Sequence, residues 1–533
     1  MRTSSGEYWL VSLAETPDTT DRESDGLTRR TLSGAKWTYL SSVVTVLLQT
    51  LVTALLARLL APEAFGLVAL SGLVLRFGNY FSQMGVGRAL IQRRVMDQEH
   101  VRAGFWLSTV IGLLFTVIFG LLIPPVAALA FHEPELSSVL VAMSFTFLIS
   151  GTSATAQSLL RRELRFREVS IVEVSSYFIG FAVVGSVLAW QGFGVWSLVI
   201  AALTQVTVSA LLFNVLARPD VRPIWKWAPH RDLLGFGSAV SLVTFMEFIN
   251  SNLDTLLIGR LAGVSTLGVY SKALNLTGLP MQYLSTSLSK VLAPSFSKVQ
   301  SEIPRMKRAL LQVLLLFSAI GIPVALGMCG AAREIIHVML GNQWFDAIPV
   351  LRVAPIAACA AMLSHFSGVV LEAMALLKAK LMIRLAQFLV FGGVLFALRP
   401  FGLFGFAIAF VASETFIHIA ITMYVSRVLG IRAVEISGAY TPGLMGGVVA
   451  LPVLLLESWI GGFFGLTAVI TLAAQIVSGV LVLGLVTLRV NDARVAKALH
   501  TLLFTVDSEV TSGQVLRLFR RLYGIPASSI GGH

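Results

Sequence analysis

Residues 58–67 read RLLAPEAFGL and residues 260–269 read RLAGVSTLGV. Arg58-Leu59 with Gly66 thus returns as Arg260-Leu261 with Gly268, 202 residues further on. At the same offset Leu55-Leu56 falls on Leu257-Ile258, and Leu67 on Val269. In each copy the segment closes one long apolar run and opens the next. A membrane chain built from two equivalent halves usually holds its substrate between them and rocks the halves to carry it across. The repeat therefore points to transport before any motif is read.

The composition fixes the solvent. Mean hydropathy is +0.82, 56% of the 533 residues are hydrophobic and 13% are charged, against roughly 25% charged in a soluble domain. A bilayer core takes about 20 apolar residues per helix. About fourteen such runs are predicted, at 37–59, 64–87, 102–123, 137–160, 168–190, 194–216, 232–259, 272–294, 308–330, 348–376, 379–398, 401–425, 439–456 and 462–488. Their uninterrupted length excludes a membrane barrel, whose strands alternate over about ten residues. The predicted class is an all-α integral membrane protein.

The divisions follow. Residues 1–31 read as a disordered tail, because Glu15 to Arg30 is rich in Thr, Asp, Glu and Arg. Six spans at 32–217 precede a break at Ala217 to Arg231 that carries Pro219, Pro223 and Pro229. Six more occupy 232–430. An even number of spans per half gives both halves the same orientation, related by an axis along the membrane normal. Two additional spans at 435–489 and an amphipathic tail at 490–533 complete the chain. Loops on the charge-poor side are too short for a folded domain.

The net charge of +12 orients the protein. Alternate connections hold most of the Lys and Arg, among them Arg88, Arg93, Arg94 and Arg102, then Arg161, Arg162, Arg165 and Arg167. The others carry little beyond Arg58, Arg260, Lys272, Arg333 and Arg399. This is the positive-inside pattern and predicts cytoplasmic termini. It removes the need for a nucleic-acid partner. Cys329 and Cys359 read as small packing residues, with no disulfide framework or metal site.

Polar residues inside the runs are the candidate site. Arg76 lies near the middle of the second span, with Asn79, Tyr80 and Gln83 on its face. A guanidinium stays charged and grips phosphate oxygens in pairs, so Arg76, Asn79 and Gln83 are candidate substrate contacts. Pairing of Arg76 to a buried acid is the structural alternative. The seventh span carries Glu247, Asn250 and Asp254 on one face, with Asn252 nearby. Asn250 joins the substrate-binding set. Glu247 and Asp254 are candidates for ion coupling, the alternative for Asp254 being a salt bridge to Arg260 or Lys272. His365 with Glu372, and Glu414 with His418, add two pairs that could relay protons. Moving Arg76 by the repeat lands on Gly278, and moving Glu247 and Asp254 back lands on Thr45 and Val52. The frame is duplicated and these charges are not, which implies a cavity with one cationic and one acidic wall.

No phosphate-binding G-x-x-x-x-G-K-[ST], HExxH or G-x-S-x-G occurs, and the external loops are too short for a sugar-transferring enzyme. No catalytic residue, metal or cofactor is expected.

Several segments resemble Wzx-type polysaccharide flippases. They are Ser33-Gly34-Ala35-Lys36-Trp37, Gly85 with Ala89-Leu90-Ile91-Gln92-Arg93, and Leu159-Leu160-Arg161 with Phe166. The strongest runs from Asn252-Leu253-Asp254 to Gly259-Arg260, then Leu267-Gly268-Val269-Tyr270 and Val291 to Phe296; Gly341, Trp344 and Ile348-Pro349-Val350-Leu351 continue it. The resemblance covers about Thr31 to Arg432. It implies the multidrug/oligosaccharidyl-lipid/polysaccharide exporter superfamily, in its colanic acid and exopolysaccharide branch, with two parallel six-helix bundles in a V-shaped, MATE-like arrangement and two extra C-terminal helices. It further implies an undecaprenyl-diphosphate-linked oligosaccharide as substrate, a proton or sodium ion for coupling, and the bacterial inner membrane. A polysaccharide polymerase and co-polymerase would be partners. The alternative within the superfamily is a cation-coupled drug antiporter.

Overall fold

The computed structural model describes residues 41–82, 90, 96–224, 241–298 and 302–490; the side chains at 79–82, 241–247, 279, 282–298 and 487–490 are not part of that description. Among the described residues there are helices and no strands. The long helices are α1 (Ser41–Leu59), α2 (Pro62–Ser82), α3 (Gln98–Phe131), α4 (Pro134–Arg162), α5 (Phe166–Trp190), α6 (Val195–Ala217), α7 and α8 (residues 241–262 and 264–298), α9 (Ile303–Gly330), α10 (Ala354–Ala373), α11 (Leu377–Leu398), α12 (Gly402–Leu429), α13 (Ala433–Phe463) and α14 (Ala468–Val490). Each predicted apolar run overlaps one of them. Ten stretches among the described residues are long and apolar enough to cross a membrane, and the longest, Leu377–Leu429, takes in α11 and α12.

The pairing of helices repeats. In the first half α4 packs on α2, α3 and α6, and α5 on α6. In the second half α10 packs on α7–α8, α9 and α12, and α11 on α12. The last two helices attach to the second half, α13 along α9 and α14 along α13.

The repeat residues make the joint between the halves. A Cβ on Gly66 would collide with the carbonyl oxygen of Val264, and a Cβ on Gly268 with the carbonyl oxygen of Pro62. Pro62 and Val264 are themselves 202 residues apart. Each half thus offers the same two backbone groups to the other, the reciprocal contact of a two-fold axis. Only glycine lets two helix backbones approach this closely, which is how membrane helices gain packing where lipid removes the hydrophobic drive. Phe65, Leu67 and Leu70 of α2 and Ile258, Val264, Leu267 and Tyr270 of α7–α8 close a dry core around the crossing.

The sequence leads one to expect a connection of about a dozen residues between α7 and α8. The chain turns there at one residue, Gly263, with φ 84° and ψ 170°. That backbone conformation is essentially open to glycine alone.

A hairpin between α9 and α10 seals the same end. It comprises a short helix (Ala332–Met339) and a tight turn (Asn342–Ala347). Trp344 is fully buried; its indole donates to the Ala57 carbonyl at 2.7 Å and its ring meets Phe65 edge-on. The Gln343 amide donates to the carbonyls of Ala57 and Leu60, and Arg58 donates to Val338 O at 2.6 Å. The second half thereby satisfies carbonyls that the end of α1 leaves open.

At the opposite, basic end each half ties its own exit segment down. Arg102 of α3 pairs with Asp220 at 2.6 Å, and Lys307 of α9 pairs with Glu435 at 2.8 Å. The Arg102 guanidinium, aided by the Arg222 backbone N–H, holds the Asp220 carboxyl below the usual carboxylate range. Here the buried apolar clusters belong to one half or the other. Among the described residues no such cluster bridges the halves at this end.

Gly66→Ala should destabilise the folded protein by about 1–3 kcal/mol or more, because backbone must move to admit the methyl. Gly278→Ala, with nothing within 4 Å of the added carbon, should be neutral or stabilising by up to about 1 kcal/mol. Thermal unfolding of the two purified variants checks the contrast.

Candidate functional site

Arg76 lies on α2 about 20 Å along the axis from Pro62. Its side chain has protein on most sides and is still reached by solvent. Gly72, one turn earlier, makes room for it: a Cβ there would come within 3.3 Å of Arg76 Nη1. Arg76 Nη2 donates across the halves to Asn252 Oδ1 at 3.0 Å, and Asn252 Nδ2 donates to the Phe248 carbonyl at 2.8 Å. Phe77 and Phe248 pack beside this bridge with ring centres 5.7 Å apart.

Asp254, one helical turn beyond Asn250, is buried on α7 at 7% exposure. Its Oδ1 accepts the Thr255 N–H at 2.6 Å and the Thr255 hydroxyl at 3.3 Å. It lies within electrostatic reach of Arg76 and Glu414, and the Tyr270 hydroxyl stands beside it outside strict hydrogen-bond geometry. Lys272 does not pair with it; the ammonium sits 4.0 Å over the Phe65 ring.

A second group extends across α7, α11 and α12. Asn250 Nδ2 donates to the Arg384 carbonyl at 3.1 Å, and Arg384 Nη1 donates to Gln387 Oε1 at 2.9 Å. Gln387 Nε2 in turn donates to Glu414 Oε1 at 3.0 Å and to Ser413 Oγ at 3.3 Å. Asn250 Oδ1 and Arg384 Nε are buried with no protein partner. Buried polar groups are normally satisfied, so these two atoms are where water or a ligand would complete the network. Two guanidiniums and two carboxylates therefore share one polar region, which moderates the cost of holding charge at this depth.

The other sequence candidates are placed differently. Glu372 is half-exposed and pairs with the buried Lys380 at 2.5 Å. His418 faces the Tyr440 hydroxyl at 3.3 Å and Thr422 at 3.5 Å, bracing α12 against α13. His365 is exposed on α10, its ring against Phe366. Gln83 and the side chains of Asn79 and Glu247 lie outside the described residues. Arg384 and Gln387 are not singled out by the sequence. The rule that isolates Arg76, an arginine inside an apolar run, applies equally to Arg384, but Lys378 and Lys380 make it look like part of the basic connection.

A family model described as polysaccharide biosynthesis protein (Polysacc_synt_3) matches residues 55–349, which takes in the glycine crossing, the sealing hairpin, Arg76 and Asp254. The chain belongs to this family. Among similar proteins, the lipopolysaccharide biosynthesis protein WzxC of Escherichia coli (strain K12) is 26% identical over 332 residues, 61% of this chain and 66% of WzxC. The succinoglycan biosynthesis transport protein ExoT of Rhizobium meliloti (strain 1021) is 30% identical over 321 residues, 59% of this chain and 63% of ExoT. The match thus takes in just under two thirds of each of these relatives. In fold the chain is similar to the lipid II flippase MurJ in an inward closed conformation, with TM-score 0.65 and 13% identity over 85% of this chain and 97% of MurJ. It is also similar to a multidrug resistance MATE family transporter of the MOP superfamily in an inward-facing conformation, with TM-score 0.57 and 15% identity over 72% of this chain and 94% of that one. This polysaccharide biosynthesis protein is a multi-pass membrane protein, helical throughout its described membrane spans, with a fold like those of MurJ and the MATE family transporter.

Arg384→Gln and Glu414→Gln should each lower thermal stability, and the double variant should lose less than their sum. A double-mutant cycle should return about 0.5–3 kcal/mol of coupling; additivity would separate the two groups.

Proposed function

We propose that this family member moves a polyprenyl-diphosphate-linked oligosaccharide across the bacterial inner membrane by alternating access. The charge-poor end, sealed by the glycine crossing and the Trp344 hairpin, would face away from the cytoplasm, and the basic end toward it. The headgroup would cross between the halves while the polyprenyl chain stays in lipid. Both termini would be cytoplasmic, and the two six-helix units at 32–217 and 232–430 would be the moving bodies.

The observation that carries this reading is the Arg76–Asn252 bridge. It joins the two halves through a solvent-reached guanidinium, where a diphosphate could replace the asparagine oxygen with a charge-assisted, bidentate partner. Gln83, Asn79 and Asn250 would add contacts to phosphate or sugar. Asp254 and Glu414, with Glu247, are the candidates for a coupling proton or sodium ion. Glu372, His365 and His418 take structural roles in this scheme. The names of WzxC and ExoT, and of MurJ for the fold, support a lipid-linked sugar as cargo. A second reading, a cation-coupled drug antiporter, draws on the MATE-like fold and on the buried Asp254 and Glu414. Raised drug sensitivity of a deletion strain with polymer export unchanged would favour it.

Arg76→Ala should abolish polymer export with the protein still in the membrane, and Arg76→Lys should retain part of it. Full export by the alanine variant would remove Arg76 from the mechanism. Joining Arg58→Cys to Val338→Cys with a short thiol-bridging reagent should hold the charge-poor end shut and stop export, while the unbridged double variant exports. Cys329 and Cys359 are buried, which limits competing reaction. Export by the bridged protein would contradict alternating access at this end.

A further inference from the structure

Far from the central network, the joint between the second half and the last two helices contains buried oxygens with nothing to bind. Glu334, on the short hairpin helix, is 6% exposed, and Gln475, on α14, is 2% exposed. The Ser458 hydroxyl donates to Glu334 Oε1 at 2.6 Å, and Gln475 Nε2 donates to the Leu454 carbonyl at 3.0 Å. Leu454 and Ser458 are four residues apart on α13, so both side chains converge on one turn of one helix face. Glu334 Oε2 and Gln475 Oε1 remain buried without a hydrogen-bond partner. With the carboxyl ionised both are acceptors, so neither then satisfies the other. No Lys or Arg pairs with Glu334 among the described residues, and an uncompensated buried carboxylate costs several kcal/mol.

A positively charged guest resolves this arrangement. The Ser458 hydroxyl engages one carboxyl oxygen, leaving the other to coordinate. The donors are all oxygen, which suits a hard cation, and they hold a single nearby negative charge in Glu334. Among the described residues no group of three or more His, Cys, Asp or Glu gathers here or elsewhere, so a zinc-type site is not formed. We propose that Glu334 Oε2 and Gln475 Oε1, with the Ser458 hydroxyl beside them, form a binding site for a monovalent metal cation of sodium size between the sealing hairpin, α13 and α14. The site lies outside the central cavity and gives the two additional helices a task. Four residues beyond Glu334 on the same hairpin, the Val338 carbonyl receives Arg58. A cation here fastens one side of the hairpin to α13 and α14 while its other side clasps α1.

The test is thermal unfolding of the full-length protein, purified in detergent, at fixed pH and ionic strength in sodium, potassium or choline chloride. Sodium should raise the midpoint of the wild type saturably, by roughly 2–4 °C. Glu334→Gln and Gln475→Leu should lose that response, and Glu302→Gln, whose carboxylate pairs with Arg305 at the basic end, should keep it. Equilibrium dialysis with radiolabelled sodium should find one bound ion fewer per chain in Glu334→Gln than in the wild type, a readout independent of any stability change. No sodium effect in the wild type, as expected of a water molecule between the two oxygens, overturns the proposal. So does a response to pH alone, or a sodium response that survives Glu334→Gln and vanishes in Glu414→Gln.

Discussion

The reciprocal contact of Gly66 with Val264 and of Gly268 with Pro62 is the constraint on which the rest of the molecule hangs. Backbone meets backbone there with no side chain between. The helices that carry the halves, α2 and α8, therefore cross near their starts. In lipid, close approach of this kind supplies the dispersion energy that water would otherwise supply through burial. A two-fold contact made from one repeated sequence also sets the relative orientation of the halves without further specification. The dry core around Phe65, Leu70 and Leu267 and the Trp344 hairpin add to a joint whose geometry the glycines already dictate.

Asymmetry enters on this symmetric frame through side chains. The first half places Arg76 where the second has Gly278, a position with open space at its Cβ. The second half answers with Asn252, Asp254, Arg384 and Glu414. Opposite charges within electrostatic reach hold one another in a place where a lone charge would be costly, yet the network stays incomplete at Asn250 Oδ1 and Arg384 Nε. A fully satisfied network would lock the halves together. An unfinished one has atoms to spare for a guest, and among the described side chains its bond between halves is one pair at 3.0 Å, weak enough to exchange.

The hairpin between α9 and α10 links distant parts. It satisfies open carbonyls of α1 in the first half, contributes Glu334 to the joint with α13 and α14, and does both within about twenty residues. The last two helices are thus connected to the hairpin end through hydrogen bonds as well as through packing along α9.

Much of this protein is determined by the sequence by itself. Apolar runs of membrane-spanning length dictate helices because lipid offers backbone groups no other partner. Alternating basic loops set the expected orientation, and the repeat places the two glycines in register. Arg76 is legible because a single arginine in an apolar run is conspicuous against its neighbours. Tertiary structure alone decided which acids belong to the network. Glu372 and Glu414 look alike in sequence, but one pairs with Lys380 at a helix end and the other meets Gln387 beside Arg384. Only packing could likewise assign His418 to Tyr440 and bring Glu334 and Gln475 to one turn of α13, because residues on different helices are neighbours only once helix faces have been matched. Local pattern fixes what each helix is, and the partners of a buried polar atom depend on which helix lies beside it.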